Sequence, residues 1–281
     1  MMKQKNLSPG GSATRWGPLF GARPRNWAET WEGPTGWGTP VYEHVLDRAK
    51  IGAGSRVLDC GCGAGRFARM AADRGTAVAG VDAAAALIEI AAERTPEGDF
   101  RVGDLEALPW PDDAFDVVTG FASFQFADDK ARALAEARRV SRRYVVVVIP
   151  TRVPESGLAR MFQSLIPLFP AEALDSMKQS GIFALSESGK LEEVLAAAGL
   201  GAREDDEVDC QVSFEDADTA VLAFVGAGPT ALAVRHSGEE AVAEGVRGAL
   251  GAFTDPEGRV KLPAWYRAVI AEAWIVPGAA I

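Results

Sequence analysis

The residues best placed to do chemistry in this sequence are three aspartates and a run of glycines. From Val57 to Phe67 the chain reads Val-Leu-Asp-Cys-Gly-Cys-Gly-Ala-Gly-Arg-Phe: an apolar stretch, a glycine-rich turn and a helix start. Gly61, Gly63 and Gly65, with Cys62 among them, leave the turn without bulky side chains. A ligand can then lie against bare backbone amides at a helix N-terminus. Asp59 stands two residues before the first glycine. Asp82 ends the next apolar stretch, next to Ala83, and is placed to accept hydrogen bonds from both ribose hydroxyls. Asp104 follows a third stretch, in Gly103-Asp104-Leu105, where a carboxylate and an adjacent amide can meet an adenine. One such acid is ordinarily a solvated loop residue. Three, each just past a consecutive strand end, point jointly to a nucleoside ligand.

A glycine turn of this kind serves dinucleotides or S-adenosylmethionine. The dinucleotide fingerprint wants its third glycine at position 66, where Arg66 stands. Asp59 would oppose a pyrophosphate but suits an ammonium group. No lysine follows the glycines, which excludes a P-loop.

These residues need a scaffold of alternating strands and helices, and the chain supplies one. Thr39-Pro40 reads as a capped helix start, and strands are expected near 56–58, 77–81, 100–102, 115–119 and 144–149, with helices between them. Such alternation means crossover connections and a parallel sheet, with near-continuous apolar strands covered on both faces. The fold class is therefore α/β, a doubly wound Rossmann-like sheet whose ligands bind beyond the strand C-termini. Residues 1–38 read as a flexible arm (1–26) leading into an aromatic lid, 39–150 as the cofactor-binding core, 151–185 as a helical cap insertion and 186–281 as the completion of the sheet. In that last part a helix capped by Ser188, a strand over 208–214, helices over 217–251 and a final strand within 259–271 are expected.

Val57–Gly65, Val81-Asp82, Gly103–Pro109 and Phe115-Asp116-Val117-Val118 resemble, in order and spacing, the motifs of class I S-adenosylmethionine-dependent methyltransferases, closest to their ubiquinone/menaquinone-type small-molecule branch. The resemblance is strong over residues 40–150 and holds only in outline elsewhere. It implies a seven-stranded sheet with an antiparallel last strand, and in-line methyl transfer from S-adenosylmethionine to an oxygen, nitrogen or carbon nucleophile. Asp59 and the glycines would hold the methionine portion, Asp82 the ribose, Asp104 and Leu105 the adenine, and Phe121 would cradle the sulfonium. The family's Pro-Gly-Gly turn before the fifth strand is absent from Val140-Ser141-Arg142-Arg143-Tyr144. Transfer-RNA or protein methylation, and a fold relative catalysing cyclisation, are the alternatives.

Acceptor contacts are expected from Trp27, Trp31, Phe124 and Phe126, which favour an aromatic or lipophilic small molecule. No catalytic residue is assigned: His44 reads as structural or exposed, His236 sits among Arg235, Ser237 and two glutamates and is a remote candidate base, and Tyr42, Tyr144 and Tyr266 have no special context. A net charge of −10 over 281 residues argues against a nucleic-acid partner. No apolar run is long enough to span a membrane, and the N-terminus lacks the apolar core of a secretory signal. Three cysteines, two of them inside the turn, suggest neither a disulfide framework nor a zinc or other metal site, and fit a cytoplasmic protein.

Overall fold

The computed structural model describes residues 11–34 and 36–273. Seven strands form one sheet: β1 (Arg56–Cys60), β2 (Ala77–Asp82), β3 (Asp99–Val102), β4 (Phe115–Phe121), β5 (Ser141–Thr151), β6 (Leu200–Asp209) and β9 (Trp265–Ala273). Their order is β3-β2-β1-β4-β5-β9-β6. The first five are parallel, and β9 runs antiparallel to both its neighbours, β5 and β6. β2 and β3 step outward on one side of β1, and β4 and β5 on the other. The strand order therefore reverses between β1 and β4, the place where such sheets bind ligands.

Valine repetition makes β5, an interior strand. Val146 and Val148 of β5 face one core while Val145, Val147 and Ile149 face the other, as a two-residue period requires. The helices that cover these faces are α3 (Thr39–Arg48), α4 (Arg66–Asp73), α5 (Ala85–Arg94), α6 (Lys130–Val140) and α9 (Lys190–Ala197). No turn separates α6 from β5, and the irregularity is absorbed as a register shift opposite Phe115 and Val117. Thr39 does not cap α3, whose N-cap is Gly38, and Gly189 rather than Ser188 precedes α9.

The N-terminal segment differs from expectation. Of the residues expected to form a flexible arm, 1–10 lie outside the described residues. The rest form α1 (Ser12–Phe20) and α2 (Pro24–Thr30), with Ser12, Ala13, Trp16 and Leu19 buried. Apolar cover, not periodicity, makes these helices: each is short, and α1 contains Pro18.

Completion of the sheet also takes less of the chain than expected. Among the described residues from 186 onward, only β6 and β9 join it. Between them lie β7 (Val212–Phe214), α10 (Ala217–Gly226), α11 (Thr230–Ser237), α12 (Glu239–Leu250) and β8 (Val260–Leu262), with β7 and β8 paired as a separate ribbon. This insertion packs on α2, on the cap helix α7 (Gly157–Ser164) and on the 3₁₀ turn Ile166–Leu168, which precedes the second cap helix, α8 (Ala171–Gln179). Trp31 knits them together: its indole donates to Ala223 O at 2.8 Å, and its ring lies 5.2 Å from Phe224 and 6.2 Å from Phe162. Strand β6 begins earlier than expected because its sequence, Leu-Gly-Ala-Arg-Glu-Asp-Asp-Glu-Val-Asp, lacks apolar alternation. Arginines answer its acids instead, among them Arg267 at Asp205, Arg48 at Glu204 and Arg152 at Glu207. Such a charged edge resists further strand addition.

No single helix among the described residues is long and apolar enough to cross a membrane. α10 and α11 pass that test only together, bent by 92°. Replacing Trp31 with alanine removes the joint between arm, cap and insertion, and should cost about 3–5 kcal/mol of stability. Urea unfolding would measure it, and a midpoint within error of the parent would contradict an integral N-terminal segment.

Candidate cofactor and acceptor site

A cavity of about 580 Å³ opens above the C-terminal ends of β1 and β4, within the usual size range of small-molecule sites. Asp59, Gly61, Cys62, Gly63, Asp82, Ala83, Asp104, Leu105 and Phe121 line one end of it. The sequence-derived cofactor residues therefore converge, except for Gly65. That glycine is the N-cap of α4, with φ +82°, and a Cβ there would lie 2.9 Å from Ala91 Cβ. It fits the turn to α5 and does not face the cavity.

Each acid is held by a different device. Asp59, only 3% exposed, accepts one hydrogen bond from Thr119 Oγ1 at 2.9 Å. Burial pushes its carboxyl well above the usual range, the Thr119 bond opposes this, and the charges of Glu32 and Asp82 push it further up. Asp82 accepts from the amides of Gly63 at 3.0 Å and Ala84 at 2.8 Å. Burial outweighs those bonds and its carboxyl is also raised. Asp104 Oδ1 accepts from the amide of Glu106 at 3.0 Å, which fixes the loop after β3.

Glu32 is the site residue that the sequence did not reveal. It sits just after α2, 6% exposed. Its Oε1 accepts from Trp27 Nε1 at 2.6 Å and from the Ala64 amide at 2.8 Å. Its Oε2 accepts from the Arg66 amide at 3.1 Å and from Arg94 Nη1 at 3.0 Å. Arg94 also donates to Ala64 O and Ala28 O, binding α5, the turn and α2 into one unit. The carboxylate thus fills the anion position at the N-terminus of α4. It also lies so close to Gly63 (φ +55°) that a Cβ there would collide with Oε1. A pyrophosphate has no such place left on this turn. Burial still holds the Glu32 carboxyl above the ordinary range, despite its four donors.

Aromatic side chains make the other end of the cavity. Trp16, Trp27, Trp31 and Trp37 all line it, as does Phe126, whose ring is 5.0 Å from Trp16. Phe124 does not. It is 1% exposed, and a Cβ on Gly120 would collide with its ring, which belongs to the core on the opposite face of the sheet. Phe124 and Phe126 share one 3₁₀ turn, whose successive side chains diverge, so an aromatic run in sequence splits between core and cavity.

Tyr42 and Tyr266 do have a context. Both line the cavity, and burial raises both phenols, Tyr42 strongly, so they remain protonated. His44 instead pairs with Asp206 at 3.1 Å on the sheet edge, and His236 is exposed on α11. The Cys62 thiol is buried and pushed well up, which leaves it a poor nucleophile. Among the described residues no group of three or more His, Cys, Asp or Glu side chains could hold a metal ion.

Residues 58–149 match the methyltransferase-domain family. The chain is similar to a malonyl-[acyl-carrier protein] O-methyltransferase of Serratia marcescens, 35% identical over 40% of this chain and 44% of that protein. It is also similar to a demethylmenaquinone methyltransferase of Thermotoga maritima, 34% identical over 43% and 52% respectively. The chain thus spans about half the length of these relatives. A solved structure, a putative methyltransferase from Bacillus halodurans, shares the fold with a TM-score of 0.55 at 15% identity, covering 83% of this chain and 99% of that one.

Glu32→Gln would turn an amide NH₂ toward donors that now face a carboxylate and leave Arg94 without its charge partner. It should cost about 2–4 kcal/mol in urea unfolding. A loss below 0.5 kcal/mol, on the order expected of an ordinary surface substitution, would contradict the clasp.

Proposed function

We propose that this chain, whose residues 58–149 match a methyltransferase domain, is a class I S-adenosylmethionine-dependent methyltransferase of the small-molecule branch and transfers a methyl group from S-adenosylmethionine to a small, apolar or aromatic acceptor. One observation carries the reading. The anion position of the glycine turn is filled from within by Glu32, and two further buried carboxylates, Asp59 and Asp82, stand beside it with raised affinity for protons. A site so arranged rejects a pyrophosphate and favours a ligand carrying net positive charge.

The residues present fit that cofactor. Asp59 has a single hydrogen-bond donor in the protein and acceptor capacity to spare for an ammonium group. Each carboxylate oxygen of Asp82 takes one backbone amide and retains a lone pair for a ribose hydroxyl. Asp104 and Leu105 would meet the adenine, and Phe121, packed 4.6 Å from Tyr42 and 4.5 Å from Phe67, walls the methionine end. When bound, S-adenosylmethionine supplies an already activated methyl group. The chain's own work is to orient the acceptor and keep the site dry. The tryptophan-rich N-terminal helices and the cap supply that cover, and the protonated phenols of Tyr42 and Tyr266 can donate hydrogen bonds within it.

The acceptor class is supported by the aromatic lining and by the likeness to a demethylmenaquinone methyltransferase. A net charge of −10 speaks against a nucleic-acid substrate. Three unpaired, buried cysteines favour the cytoplasm as the place of reaction.

Two measurements test this. Calorimetry with Asp82→Ala should show S-adenosylmethionine bound about 10- to 100-fold more weakly than by the parent, the loss expected when hydrogen bonds to a charged group vanish; equal affinity would remove Asp82 from the ribose site. The second concerns protons. In the free protein Asp59 and Asp82 hold theirs above the usual carboxylate range, and a cation favours the ionised forms. Binding should therefore release protons, and affinity should rise with pH from the ordinary carboxylate range up through the raised values. By the same linkage the free protein loses stability over that window, because the folded state binds protons more tightly than the unfolded one. Asp59→Asn should raise the melting temperature of the free protein while weakening cofactor binding; a fall in melting temperature would contradict a strained carboxylate.

A further inference from the structure

The four exposed residues that line the cavity, Gln163, Ile166, Lys178 and Phe183, all come from the cap, between α7 and the turn after α8. They form its rim. Ile166 and Phe183, 46% and 58% exposed, are two of the three exposed large hydrophobic side chains among the described residues. Lys178 is the only cationic side chain among the described lining residues. Its ammonium makes no ion pair or hydrogen bond within the described residues. The acids of the lining, Glu32, Asp59, Asp82 and Asp104, belong to the cofactor residues, whereas Trp16 and Phe126 pack with Ile182 and Met177 of the cap, and Phe162 lies against Trp31, which meets Trp27 beside Glu32.

The cavity therefore has a polar axis: carboxylates at the floor, an apolar middle, and one ammonium beside exposed apolar groups at the mouth. We propose that the acceptor is an amphipathic acid, bound with its apolar or aromatic body among the cap aromatics and its anionic group against Lys178. This deepens the methyltransferase reading and rests on it. An anionic group is repelled by the floor, where the carboxylates would oppose it in low dielectric, and attracted at the rim. The same field turns the molecule so that its uncharged nucleophilic end points inward. Lys178 is thus a specificity residue that acts by orientation. It does not take part in the methyl transfer.

The test uses a matched pair of probes, hydroxynaphthoate and its uncharged carboxamide, added to the full-length protein saturated with S-adenosylhomocysteine and followed by quenching of the lining tryptophans. The parent should bind the acid more tightly than the amide, by about threefold, as expected for a partly exposed charge pair. Lys178→Gln should abolish the preference, Lys178→Glu reverse it and Lys178→Arg keep it. High salt should erase it in the parent. Equal binding of the two probes, no binding of either at millimolar concentration, or a preference that survives Lys178→Glu would overturn the proposal. Calorimetry with S-adenosylmethionine on the same variants separates the two readings. Unchanged cofactor affinity with no preference for the acid defeats the rim assignment alone. Absence of cofactor binding in the parent defeats the methyltransferase reading instead.

Discussion

The carboxylate of Glu32, seated on the backbone amides of Ala64 and Arg66, is the contact on which the rest of this site depends. An α-helix N-terminus presents unpaired donors and a positive dipole end, and something must answer both. In a dinucleotide-binding protein the ligand does so. Here the protein does it for itself, with a residue thirty-odd positions upstream. Arg94 and the Trp27 indole complete the shell, so the buried acid is fully hydrogen-bonded. One interaction thereby sets the turn, ties α2 to α4 and α5, and puts a negative charge where a ligand's anion would sit.

The remaining carboxylates follow from that placement. Asp59 and Asp82 are held in low-dielectric surroundings next to an acid that cannot leave, and neither has a basic partner among the described residues. Such an arrangement is unfavourable in the free protein and becomes favourable with a positive ligand between them. Stability given up at the strand tips is recovered in the valine-rich sheet, where β5 is buried on both faces, and in the aromatic joint around Trp31.

Much of this was legible in the chain. The glycine turn, the three aspartates and the first five strands announce themselves because local geometry dictates their residues: a turn without Cβ atoms, acids at strand ends, apolar runs between covered faces. The seven-stranded sheet and the antiparallel β9 agree with what the sequence implied, and Trp27, Trp31 and Phe126 line the cavity. What was not legible is what tertiary contact alone creates. α1 and α2 are too short to be stable by propensity and exist because the core and cap cover them. β6 is an acidic edge strand whose charges are balanced by arginines distant in sequence. Glu32 looks like any loop glutamate until the chain folds it onto the turn. Phe124 lies in the core and not in the cavity, and an aromatic run does not reveal which of its members a 3₁₀ turn will bury.

The pairing of Gly63 with Glu32 has a further consequence, for the history of the sequence. Position 63 is restricted twice, by its positive φ and by the glutamate oxygen where a Cβ would go. Position 32 is restricted by the turn it caps. Neither can drift alone: a side chain at 63 demands a shorter residue at 32, and a shorter residue at 32 leaves the helix end bare unless a ligand's own anion comes to fill it. Two neighbouring solutions are thus separated by a double change, and a lineage that crossed between them would exchange a taste for cations for one for phosphates on an unaltered sheet.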